Sequence, residues 1–176
     1  MGLKGGPTED EVMAVSLAKL GIRPGDRVVD LGCGTGKIAV ALSETAELVY
    51  AIDRRSEAIA YAREEAARAG RGNIEFFEGD AVEILPGLGS LDAAFVGGSR
   101  RLPEVLDLLA DQVRGRIVVN AVMVGTLHEA IATMQRLGIF VEAVHLQVSR
   151  SAGIAGGTMF KPINPVYIVV GGAGCS

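Results

Sequence analysis

The chain has 176 residues and a formal net charge of −4, a length expected to form one domain over 1–176 with a substantial buried core. The acidic balance with scattered arginines argues against a nucleic-acid face, and no apolar run reaches the roughly 20 residues of a membrane-spanning helix, the run 117–124 being broken by Asn120. Met1-Gly2-Leu3-Lys4-Gly5-Gly6 has no hydrophobic signal core, and two cysteines far apart make no disulfide framework, which points to the cytoplasm.

Pro7-Thr8-Glu9-Asp10-Glu11 opens the first expected helix, running to about residue 20, with Thr8 as its cap and Glu11 completing a capping box. After a turn over 21–26 comes Arg27-Val28-Val29-Asp30-Leu31-Gly32-Cys33-Gly34-Thr35-Gly36, which reads as strand, tight turn and helix start. Glycines at alternate positions leave no Cβ between the backbone and a ligand lying on the turn. Lys37 stands where a dinucleotide fingerprint needs its third glycine, and no phosphate loop of the Gly-Lys-Ser/Thr type is present.

Leu48-Val49-Tyr50-Ala51-Ile52 is a second apolar strand with Asp53 at its end, where an acid in a doubly wound sheet can accept both hydroxyls of a ribose. The site therefore suits an adenosine. With Asp30 kept before the glycines and the pyrophosphate fingerprint missing, S-adenosylmethionine fits better than a dinucleotide. Its candidate contacts are Asp30, Gly32, Cys33, Gly34, Thr35, Gly36 and Asp53.

Ser56 is expected to cap a helix to about residue 69. Ile74-Glu75-Phe76-Phe77-Glu78 is a third strand, and Asp80 just after it either reaches an adenine amine or caps a helix. A fourth strand over 91–96 ends in Gly97-Gly98-Ser99-Arg100-Arg101, two glycines that keep the crevice floor open. A helix over 103–110, a strand over 114–121 and a helix over 126–137 complete a βα series, which means a parallel sheet with helices on both faces. Strands over 140–148 and 166–170 have no helix between them and must pair antiparallel. Their glycine-rich link over 149–162 is either a surface loop or a mobile element that closes on substrate. His128 and His145 read as structural, leaving no obvious catalytic base.

Asp30-Leu31-Gly32-Cys33-Gly34-Thr35-Gly36 followed by Ala51-Ile52-Asp53 is similar to the first two motifs of the Rossmann-like methyltransferases. That resemblance implies the class I α/β fold: a seven-stranded, mostly parallel sheet with an antiparallel final strand and helices on both faces. With Gly6-Pro7-Thr8, Val96-Gly97-Gly98-Ser99, Gly157-Thr158-Met159-Phe160 and Asn164-Pro165-Val166 added, the chain resembles the precorrin C15-methyltransferase (decarboxylating) family of cobalamin biosynthesis. The resemblance implies a methyl-donor site at Thr8, residues 32–36, Asp53 and Ala81, with Gly97 beside the reacting centre, and a homotetramer. One departure is the short segment before Pro7, where the family often carries an acidic and aromatic stretch. A precorrin carries many carboxylate arms, for which Arg100, Arg101, Arg150 and Lys161 are the candidate partners. The residues alone also allow a methyltransferase for another small molecule, RNA or protein, or a non-catalytic cofactor-binding subunit. Against enzymes that methylate a flipped-out base amine, the fourth strand ends in Val96-Gly97-Gly98-Ser99, not Asn/Asp-Pro-Pro-Tyr.

Overall fold

A strand buried on both faces is written almost wholly in apolar residues, and the central strands follow this within their buried stretches apart from Asp30, Asn120 and the terminal Asp53. In the computed structural model, which describes residues 8–98 and 100–172, the first five strands are β1 (Arg27–Leu31), β2 (Leu48–Asp53), β3 (Ile74–Glu78), β4 (Ala93–Val96) and β5 (Arg116–Ala121). After them come β6 (Phe140–Leu146), β7 (Ser149–Ile154), β8 (Gly157–Pro162) and β9 (Val166–Gly172). One sheet runs in the order β3-β2-β1-β4-β5-β9-β6, with β1 to β5 parallel and β9 antiparallel to both its neighbours. The antiparallel strand, last in the chain, is thus inserted between β5 and β6.

The helices are α1 (Asp10–Leu20), α2 (Lys37–Leu42), α3 (Ser56–Arg68), the short α4 (Ala81–Ile84), α5 (Leu102–Gln112) and α6 (Val124–Arg136). Two cores form, one on each side of the sheet. On one side Val29, Tyr50, Ile52, Ala94, Val96 and Val119 pack against Leu102, Leu106 and Leu109 of α5 and Met134 of α6. On the other, Val28, Val49, Ala51, Phe95 and Val118 pack against Leu20 of α1, Ile38 and Leu42 of α2 and Ala62 of α3. Alternate residues of each strand feed opposite cores, as the two-residue period of a strand requires.

Three local expectations are corrected. Thr8 and Glu11 form no capping box: the N-cap of α1 is Glu9, with no side-chain cap, because the Glu11 carboxylate instead takes the two-pronged guanidinium of Arg150. Ser56 is the first helical residue of α3, not its cap; Arg55 holds that place with its side chain turned to Asp53. The link over 149–162 is not an irregular loop but the hairpin β7–β8, turned at Ala155 (φ 46°) and Gly156 (φ 78°), two successive left-handed residues that suit the twist of a two-residue hairpin turn. The strand expected over 140–148 ends at Leu146 to make way for it.

Candidate active site

Parallel strands open their carboxyl ends on one edge of the sheet, and the crossover direction changes between β1 and β4, which leaves a crevice there. The turn after β1 enters it through Gly32 (φ 73°), whose amide, with that of Cys33, donates to the Ile52 carbonyl. A Cβ at Gly32 would stand 2.8 Å from the Gly98 nitrogen, so the turns after β1 and β4 can touch only as glycines. Gly36 (φ 77°) serves packing instead: a Cβ there would meet the Ala62 Cβ at 2.7 Å and push α2 off α3.

The crevice has a volume of about 340 Å³ and draws its walls from the ends of β1 to β4: Gly32, Asp53, Asp80, Ala81, Gly97 and Arg100 among them. Asp53 is 7% exposed. Its Oδ1 accepts from the Arg55 amide (3.0 Å) and Nε (3.1 Å), and its Oδ2 from the Gly34 amide (3.0 Å) and Arg55 Nη2 (3.1 Å). Burial works to raise the Asp53 pKa, but the bonds from Arg55 and Gly34 outweigh it and hold the carboxyl below its ordinary range. About four lone-pair positions serve a carboxylate, and all are occupied here. Ribose hydroxyls could take two of them once the Arg55 side chain, 38% exposed, swings into solvent. Asp80 plays two parts, its Oδ1 accepting from the Val82 amide (3.0 Å) as the cap of α4 while it lines the crevice.

Asp30 lies beneath the turn, wholly buried, with no side-chain partner for either carboxylate oxygen, and only the Ala39 backbone amide works against its burial. Burial raises its pKa to about 7, and the charge of Asp53 pushes the same way. Cys33 is also buried, and its thiol is driven up by burial and then by Asp30 and Asp53, so it stays protonated. Gly34, Thr35 and Gly36 complete the turn without lining the crevice.

A second hollow, of about 520 Å³, lies on the other side of the β4 end and is lined by Glu9, Val12, Phe95, Asn120, Val122 and Asn164 with some neighbours. Thr8 lines this hollow and not the crevice, its carbonyl accepting from Lys37 Nζ at 2.6 Å. Gly97 lines both. Sequence reasoning missed Glu9, Asn120, Val122 and Asn164. The signal existed for two of them: Asn120 interrupts an otherwise apolar buried strand at its carboxyl end, and Asn164 belongs to the Asn-Pro-Val motif.

Of the expected carboxylate partners, only Arg100 reaches the crevice. Arg101, in a left-handed conformation (φ 52°) at the start of α5, pairs with Glu104 and, at 3.7 Å, with Asp80. Arg150 pairs with Glu9 (2.8 Å) and with Glu11, whose pKa it draws down to about 2. Lys161 is exposed on β8, opposite Arg150 in the hairpin register. His145 stacks on Tyr167 with ring centres 4.5 Å apart. Gly6, Pro7 and Ser99 lie outside the described residues.

A family model described as the precorrin methyltransferase domain matches residues 4–171. The chain belongs to the precorrin methyltransferase family. It is 47% identical over 176 residues to a Methanosarcina acetivorans protein named probable cobalt-precorrin-6B C(15)-methyltransferase (decarboxylating), covering 97% of this chain and 96% of the relative. A Methanothermobacter thermautotrophicus protein of the same name is 37% identical over 171 residues, covering 95% and 89%. Among solved structures, precorrin 8W decarboxylase of Methanobacterium thermoautotrophicum superimposes with a TM-score of 0.92 at 37% identity, covering 96% of this chain and 92% of that one. Precorrin-6Y C5,15-methyltransferase of Geobacter metallireducens gives 0.92 at 29%, covering 98% and 94%. The class I fold extends beyond the family: an S-adenosylmethionine-dependent O-methyltransferase of Thermotoga maritima matches at 0.77 with 16% identity, covering 98% of this chain and 69% of that one.

Proposed function

We propose that this chain, as one domain over 1–176, is an S-adenosylmethionine-dependent C-methyltransferase of cobalamin biosynthesis that methylates C15 of a (cobalt-)precorrin-6B and releases the carboxyl of the C12 acetate as carbon dioxide. The observation that carries this reading is the pair of hollows that meet at Gly97, one suited to a donor and the other to an acceptor.

The residues of the crevice fit the donor. Asp53 accepts ribose hydroxyls in exchange for Arg55, Asp80 faces the adenine, and Gly32 with Ala81 leaves backbone in contact with the ligand. Asp30, buried beneath the turn with its pKa raised to about 7, would be drawn toward its charged form by a ligand carrying an ammonium and a sulfonium. When bound, S-adenosylmethionine supplies an electrophilic methyl group. The protein aligns donor and acceptor carbon and excludes water, and an electron-rich ring carbon needs no strong base. Exposed Val122, Met123 and Val124 beside the second hollow, each between 63% and 69% accessible, offer an apolar bed for the face of a large macrocycle, with Arg100 available for its carboxylates.

The proposal extends to a homotetramer working in the cytoplasm without nucleic-acid or membrane partners. Its support is the hairpin β7–β8, a two-stranded unit that is marginal by itself and carries Ile154 and Phe160 at 56% and 69% exposure. No helix among the described residues is long and apolar enough to cross a membrane.

The test is anaerobic incubation with a precorrin-6B-type substrate followed by mass analysis. The product should gain one methyl group and lose one carbon dioxide, with one S-adenosylhomocysteine formed per turnover. Two methyl groups gained would contradict the single-domain reading, and retention of every carboxylate would reduce the activity to methyl transfer.

A further inference from the structure

The acceptor hollow is built in an unexpected way for a ligand covered in carboxylates. Among its described lining residues there is no lysine, arginine or histidine; there is one acid, Glu9, and two carboxamides, Asn120 and Asn164. Cations that border this region are held by acids: Arg150 by Glu9 and Glu11, and Lys37 by Asp10 while it also bonds the Thr8 carbonyl.

Asn120 is fixed from below. The fully buried Ser16 hydroxyl has a single proton, and in its helix that proton goes to the Val12 carbonyl at 2.8 Å. Ser16 Oγ also lies 2.9 Å from Asn120 Nδ2 and 3.0 Å from Asn120 Oδ1. With its proton given to Val12, the shorter contact has Nδ2 as donor, and Oδ1 is turned toward Ser16 as well. That arrangement fixes the amide plane and leaves the second N–H of Nδ2 for the hollow. Asn164 is exposed on the segment between β8 and β9, on the same lining.

We propose that this hollow seats the carboxylate arm that leaves as carbon dioxide, holding it through the neutral N–H groups of Asn120 and Asn164 while Glu9 keeps the Arg150 guanidinium occupied. The inference rests on the decarboxylating methyltransferase reading. A guanidinium would stabilise the carboxylate before the bond breaks more than at the transition state, where its charge is passing into the ring, and so would slow the step. Neutral donors fix the arm without that penalty, and the pairing of Glu9 with Arg150 keeps that guanidinium's charge from acting on it unopposed.

The step balances. A ring that has accepted a methyl group as a cation carries one positive charge. The bond between the acetate methylene and its carboxylate then breaks heterolytically, the electron pair enters the ring and cancels that charge, and carbon dioxide departs. The methylene takes up one proton while the ring gives one up, so no oxidant or reductant is required.

Two variants test the assignment with an anaerobically handled precorrin-6B-type tetrapyrrole. Asn164→Lys changes an exposed position and leaves the core untouched; Asn120→Asp keeps the shape of the side chain and adds a negative charge. Affinity for the tetrapyrrole without donor is followed by its visible absorbance, and carbon dioxide released per methyl transferred is followed by mass. Asn164→Lys should bind roughly fivefold tighter, as a new ion pair allows, yet release carbon dioxide in fewer than about one in five methylations, so that methylated product with all its carboxylates accumulates. Asn120→Asp should bind more weakly and show the same loss of coupling. One carbon dioxide per methyl in both variants, with the wild type active, would overturn the assignment alone. A wild type that methylates no tetrapyrrole would remove the reading on which it rests.

Discussion

The crevice and the hollow beside it are made of different materials. The crevice is largely a backbone site: its shape depends on glycines at Gly32 and Gly97, with the carboxylates of Asp53 and Asp80 at or just past strand ends. The hollow is a side-chain site assembled from the start of α1, the end of β5 and the segment before β9, which are far apart in the chain. A ligand shared across a superfamily can be met by main chain that every member must fold the same way. A substrate particular to one family calls for side chains on elements free to vary.

Four substitutions test whether the two sites are separable, beginning with the largest effect. Gly32→Val sets a β-branched side chain at φ 73° and against the Gly98 backbone, so donor binding should be lost, with stability reduced by about 2 to 4 kcal/mol through strain and forced separation of the two turns. Calorimetry and urea denaturation read the two effects. Asp30→Asn should act in the opposite direction on stability. A carboxyl whose pKa is raised in the folded state from 3.8 to about 7 binds its proton more tightly folded than unfolded, so wild-type stability should fall as pH rises from about 4 to 7. The asparagine variant should lose that slope and be more stable above pH 7 by roughly 2 to 4 kcal/mol, as seen by denaturation at several pH values.

Asp53→Ala should weaken donor binding by roughly 1.5 to 3 kcal/mol, the scale of hydrogen bonds to a charged group, and leave tetrapyrrole affinity unchanged. Equal loss of both would mean that the crevice and the hollow are one site. Arg150→Gln should have the smallest effect. Its partners Glu9 and Glu11 are exposed, so the melting temperature should hardly move, while release of Glu9 beside the hollow should change the Michaelis constant for the tetrapyrrole by about threefold. A similar change for the donor would show that the hairpin serves the crevice.

The legibility of the sequence follows the same division. The parallel βα series and the antiparallel last strand are readable because a strand buried on both faces shows as a continuous apolar run, and short links allow few topologies. The glycine turn and Asp53 are readable because both are consecutive with the strands that carry them. What stayed hidden depends on tertiary neighbours. Glu11 and Arg150 are 139 residues apart, and only the docked hairpin shows that the acid prefers a guanidinium to a helix cap. Asn120 could be seen to break an apolar run, but its purpose appears only with Ser16 beneath it and the hollow above. The hairpin was concealed by its composition, since alternating small and exposed residues over 149–162 carry no apolar period.

The junction at Gly97 is tested most directly by Gly97→Val. A Cβ there would sit 3.3 Å from the Phe95 ring and 3.4 Å from the Gly32 carbonyl, and the two γ-methyl groups add bulk at a residue that lines both crevice and hollow. Donor and tetrapyrrole should each still bind singly, within about tenfold of wild type, while methyl transfer measured by product mass falls by roughly three orders of magnitude because the reacting atoms are held apart. Turnover within tenfold of wild type would show that the methyl group does not pass at Gly97 and that the two hollows are not donor and acceptor sites.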